Sequence, residues 1–194
     1  MLVEAWLSAG VRLVQLRAKR ASSGAMLGRA RAMVDRVRRV GGWLIVNDRA
    51  DIARMAGADG VHVGQDDLSP EAVRTIVGPE VLVGLSTHTD EQVRAALMQP
   101  VDYVAVGPVF ETTTKARPDP VIGLEGIRSA ARLARPRNVP VVAIGGITTE
   151  RAAEVLAAGA DAVAVISELY GEELARHARA LVEVLERAPK FPHV

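Results

Sequence analysis

Two acidic clusters follow short apolar runs in this chain: Asn47-Asp48-Arg49 after 43–46, and Gly64-Gln65-Asp66-Asp67 after 60–63. A carboxylate at such a place has two uses. It can cap the next helix by accepting its first N–H groups, or it can ligate a hard cation. Mg²⁺ takes one or two protein carboxylates and fills its shell with water and substrate phosphate oxygens. Two carboxylates on adjacent strand ends suit that ion, Asp48 from one turn and either Asp66 or Asp67 from the other. His62 lies inside the second run and reads as a core residue or a support behind the ligands.

Cationic and hydroxyl groups recur beside them. Alternation puts Gln15, Arg17 and Lys19 on one side of a strand end. Polar groups facing a protein interior are costly unless they bind something, and Arg with Lys suits an anion. Thr112-Thr113-Thr114-Lys115 sits in a long segment, 108–123, with Gly107 before it and Gly123 at its end as hinges of a lid. Gly145-Gly146 and Ile166-Ser167 end two further strands. There, backbone N–H groups can approach a phosphate closely.

Apolar runs at 11–16, 43–46, 60–63, 81–85, 103–106, 139–144 and 162–166 predict buried parallel strands. Helical spacing predicts helices over 24–39, 49–55, 70–76, 89–98, 124–134, 149–157 and 174–187, and the chain opens in a helix near 3–9. The joints repeat as AGV, AGADG and AGADA, with VDYVAVG as a looser version, which marks a duplicated βα unit. Right-handed crossovers leave a barrel or an open doubly wound sheet. Chemistry-bearing residues at nearly every strand end favour the barrel, which gathers those ends at one mouth.

Composition bounds the partners. The 194 residues suit one domain, 1–194, with a loose tail at 188–194. A net charge of +1 and only 3% aromatic residues argue against nucleic acid and acidic membranes. The absence of cysteine excludes thiolate catalysis and thiolate metal sites. A cytoplasmic protein acting on small molecules is expected, and the sequence leaves a homo-oligomer open.

The strings QLRAK, NDR, HVGQDD, GLSTHT, GPVFETTTK, AIGGI and VIS, in that order, resemble the thiamine phosphate synthase family from residue 10 to about 185. The resemblance implies a (β/α)₈ TIM barrel lacking its first strand in this sequence, and hence a true start upstream. It implies an enzyme that joins a pyrimidine pyrophosphate to a thiazole phosphate, releasing pyrophosphate by a dissociative, Mg²⁺-assisted route. Asp48 and Asp67 then match the metal ligands. Gln15, Arg17, Lys19, Asn47, Ser86 and Lys115 match the pyrimidine pyrophosphate site, with Arg17, Ser86 and Lys115 as catalytic groups. Thr112 and Thr114 match the thiazole phosphate grip, and Gly146, Ile166 and Ser167 its backbone cradle.

Two substitutions depart from the family pattern, Ala18 for a Glu and Glu111 for a Pro. The second is shared with a sister family, the thiazole tautomerases. Those carry a His where this chain has Pro108, and they lack the GQDD carboxylate. The alternatives to the synthase are therefore a tautomerase, or a non-catalytic barrel that binds a phosphate ligand.

Overall fold

A computed structural model describes residues 2–112, 119–166, 169, 171 and 173–187. Strands and helices alternate through it: α1 (Leu2–Ser8), β1 (Leu13–Leu16), α2 (Ser23–Arg38), β2 (Trp43–Asn47), α3 (Ala50–Ala56), β3 (Gly60–Val63), α4 (Pro70–Val77) and β4 (Leu82–Thr87). There follow α5 (Asp90–Ala96), β5 (Tyr103–Val106), α6 (Gly123–Ala134), β6 (Val141–Ile144), α7 (Thr149–Ala157), β7 (Ala162–Ala164) and α8 (Leu174–Arg187). All seven strands are parallel and lie side by side in chain order. This is the TIM-barrel-like winding expected. An eighth strand is absent among the described residues, so β1 and β7 form the two edges of the sheet.

Each strand has two working faces. Val14, Leu16, Leu44, Val46, Val61, Val63, Val83, Leu85, Val104 and Val106 are buried in the core that the helices cover. The alternate positions form the inner, concave-side face. In register they give one row of Gln15, Ile45, Gly60 and Leu82, and a second row of Asn47, His62, Gly84 and Tyr103 nearer the C-terminal rim. Ser86, two residues beyond Gly84, pairs with Ala105 one row closer to that rim.

The repeated joints have a physical cause. Asp59 stands just before β3, and its side chain accepts the Leu44 N–H of β2 at 2.8 Å while its own N–H donates to Leu44 O. Asp102, before β5, does the same to Val83 of β4 at 2.7 Å. Asp161, before β7, does so to Val141 of β6 at 2.7 Å. The strands are thus stitched in twos at the N-terminal rim.

Several expected boundaries move. The strand expected from residue 11 begins at Leu13, because Val11 N–H still bonds Trp6 O after the left-handed Gly10 (φ 106°). The strand expected from 139 begins at Val141. Asn138 turns left-handed to close a 3₁₀ turn over Arg135–Arg137, and Pro140 has no N–H to pair. The strand expected over 81–85 runs to Thr87, so Ser86 is a strand residue with fixed direction. The strand expected to reach Ile166 ends at Ala164.

Candidate active site

Asp48 leaves the end of β2 in a left-handed conformation (φ 64°), which is rare for a residue with a side chain. Its N–H bonds the carbonyl of His62 on the neighbouring strand at 2.8 Å. Capping is not its role: the N-cap of α3 is Arg49, which makes no side-chain cap bond. The backbone instead holds the Asp48 carboxyl beside Lys19, whose ammonium lies 3.5 Å away. The Asp67 carboxyl is within hydrogen-bonding reach of it as well.

Asp67 is fixed by the turn after β3. Its carboxylate accepts the Gly64 N–H at 2.7 Å, and its N–H returns to Gly64 O at 3.3 Å. It caps no helix either, since Ser69 caps α4. Burial raises the Asp48 pKa above the ordinary carboxylate range, and the facing Asp67 carboxylate raises it further; Lys19 partly offsets both. Two carboxyls that face each other at a strand rim, beside a basic recess, are residue types that could hold a divalent cation. That recess is open, about 420 Å³, and lined by Arg17, Lys19, Arg20 and Arg29. Among the described residues no group of three or more His, Cys, Asp or Glu gathers, so a metal here would draw the rest of its shell from substrate and water.

Around this pair, Gln15 and Arg17 are exposed, while Asn47 is buried beside His62. Ala18 packs partly against the core and also lines the recess together with Arg17 and Lys19. Ser86 Oγ lies 2.8 Å from His62 Nε2, and Gln65 Nε2 donates to the Ser86 carbonyl at 2.6 Å. Gly145 and Gly146 are both left-handed (φ 99° and 65°). A Cβ on Gly146 would meet Glu111 O at 2.4 Å, so glycine here lets the segment after β5 lie against the end of β6. The bonds Val109 N–H to Ile144 O and Phe110 N–H to Gly145 O, both 3.0 Å, complete that contact. Thr112 follows, half-buried, and Ile166 is exposed beyond β7. Thr114, Lys115 and Ser167 lie outside the described residues.

Three groups escaped the sequence reading. His88 Nδ1 lies 2.5 Å from Gly107 O and its Nε2 3.4 Å from an Asp119 carboxylate oxygen, tying β4 to both ends of the 108–123 segment. The Arg151 guanidinium stacks 4.4 Å over the Phe110 ring and bonds Gly146 O at 3.4 Å. Tyr103 reaches His62 across β4. His88, Phe110 and Tyr103 lie within strings singled out above, GLSTHT, GPVFETTTK and VDYVAVG, but nothing local shows what each side chain meets across the sheet.

Parallel βα winding, with carboxylates, cations and a glycine turn gathered at the C-terminal rim, is the layout of the TIM-barrel-like enzymes, which carry their sites at that rim. The chain belongs to the Thiamine monophosphate synthase family, whose sequence model matches residues 1–169. It is 47% identical over 182 residues to a thiamine-phosphate synthase of Koribacter versatilis strain Ellin345, covering 94% of this chain and 79% of that protein. A thiamine-phosphate synthase of Azorhizobium caulinodans is 42% identical over 189 residues, covering 95% and 88%. A solved thiamine phosphate pyrophosphorylase from Pyrococcus furiosus superposes with a TM-score of 0.87 at 33% identity, covering 95% of this chain and 88% of that one.

Proposed function

We infer that this chain is a thiamine-phosphate synthase that uses Asp48 and Asp67 to hold Mg²⁺ against the departing pyrophosphate. Relatives of that name across nearly the whole chain support the reaction. The observation that carries the site is the facing carboxyls of Asp48 and Asp67 after β2 and β3, with Lys19 beside Asp48. Bound there, Mg²⁺ would supply positive charge to a leaving diphosphate.

The reaction asks little covalent chemistry of the protein. Pyrophosphate leaves the pyrimidine methylene, a resonance-stabilised cation remains, and the thiazole nitrogen closes on that carbon. No nucleophilic side chain is required. Arg17, Lys19 and Lys115 add fixed positive charge where the leaving group gains negative charge. Gln15, Asn47 and Ser86 hold the pyrimidine half against the inner wall. Thr112, Thr114 and the backbone at Gly146, Ile166 and Ser167 hold the thiazole phosphate, so that the two halves are aligned and water is excluded. No described helix is long and apolar enough to cross a membrane, and we place the reaction in the cytoplasm.

The test mixes the purified chain with Mg²⁺ and both phosphorylated halves and measures thiamine phosphate. Asp48→Ala and Asp67→Ala are each expected to lower turnover by about 10²-fold or more, the scale of losing one preorganised charge contact, with an unchanged circular dichroism spectrum. Lys115→Ala should do likewise. Undiminished rates in EDTA, or in the Asp67 variant, would remove Mg²⁺ from the reaction.

A further inference from the structure

One inner row of the sheet contains a linked set of side chains that the substrate assignments leave without a role. His62 on β3, Gly84 on β4 and Tyr103 on β5 stand in register on the same face. The strand between carries no side chain at that level. A Cβ on Gly84 would lie 2.0 Å from Tyr103 Cζ and 2.4 Å from its hydroxyl, so the phenol occupies the gap that glycine leaves. Tyr103 thereby crosses β4 and meets a strand it does not pair with. Its ring stacks on His62 (centroids 5.6 Å apart, planes 23° apart), and its oxygen lies 2.9 Å from His62 Nδ1. The opposite ring nitrogen, Nε2, lies 2.8 Å from Ser86 Oγ, one row nearer the rim.

We propose that Tyr103 and His62 are positioning residues that fix Ser86 as a hydrogen-bond donor toward the mouth. This deepens the synthase reading above and rests on it for the identity of the ligand. The polarity follows from the donor inventory. A buried phenol keeps its proton and donates it, and burial pushes the Tyr103 pKa upward. His62 Nδ1 then accepts, so the neutral ring carries its proton on Nε2 and donates to Ser86 Oγ. The Ser86 hydroxyl, one lone pair engaged, turns its own proton outward. A donor suits a diphosphate oxygen or a pyrimidine ring nitrogen. The reverse polarity would present lone pairs to an anion and repel it.

Nitrogen-15 spectra of histidine-labelled protein at mildly alkaline pH, without substrate, test the relay directly. His62 is expected with a pyridine-type Nδ1 and a pyrrole-type Nε2. Its signal is recognised by the shift that Tyr103→Phe produces. A protonated Nδ1 in the parent protein would overturn the proposal. Kinetics give a second, separate reading. Tyr103→Phe should lower kcat/KM for the pyrimidine substrate about tenfold, the worth of one hydrogen bond. In a Ser86→Ala background the same change should alter it less than about twofold, because coupled residues are not additive. Equal losses in both backgrounds would make Tyr103 a packing residue and nothing more. A chain that forms no thiamine phosphate would sink the synthase reading while leaving the tautomer measurement intact.

Discussion

Asp48 concentrates the tension of the site: a left-handed backbone, partial burial and a facing carboxylate all act on one residue. Its raised pKa carries a sign. In the unfolded chain Asp48 ionises near the ordinary value of 3.8; in the folded chain it holds its proton to higher pH. Between those two values the folded state binds more protons, so stability falls as pH rises through that interval. Asp48→Asn removes this slope. Without divalent cations, its melting temperature should gain on the parent's across the interval and keep the gain above it. Parallel melting curves across that range would mean that neither burial nor Asp67 raises the Asp48 pKa in the folded chain. Added Mg²⁺ should stabilise the parent and not the variant. The two acidic clusters were legible in the sequence because each follows an unmistakable apolar run. The residue pattern left Asp66 and Asp67 open and only the family resemblance singled out Asp67, because the choice depends on how the turn folds back on Gly64.

At the level of elements, the three aspartates that stitch strand pairs are as informative as the mouth. Asp102 accepts the Val83 N–H and also pairs with Arg74 of α4 at 2.6 Å. Asp102→Ala leaves the buried Val83 N–H without its acceptor, at a cost of about 1–3 kcal/mol, while the Arg74 guanidinium keeps its bonds to the carbonyls of Gly78, Pro79, Val81 and Pro100. The lesion is at the N-terminal rim, where barrels keep stability apart from catalysis. Urea unfolding should therefore shift while kcat and KM of the folded fraction hold; a fall in kcat would tie that rim to the chemistry. The strands and helices were readable from apolar runs and helical spacing, and even the aspartate joints showed as repeats. Where boundaries slipped, tertiary hydrogen bonds decided, as with Val11 bonding back to Trp6. The row His62, Gly84, Tyr103 was invisible because register between strands leaves no trace in local pattern.

At the scale of the whole molecule, the sheet formed by the described residues has β1 and β7 at its edges, with α1 packed on α8. The stitches divide that sheet into β2 with β3, β4 with β5, and β6 with β7, leaving β1 outside the series. The stitches mark off two-strand cassettes within a continuously paired sheet, each with its own side-chain acceptor at the N-terminal rim. Where the chain can be severed follows from this. Two co-expressed fragments divided at the exposed Pro79–Glu80 step would each keep their cassettes whole. A division between Gly57 and Ala58 would send Asp59 and Leu44 into separate fragments. Recovered activity after fragment complementation should be clearly higher for the first division, and equal recovery would show that the cassettes have no independent standing.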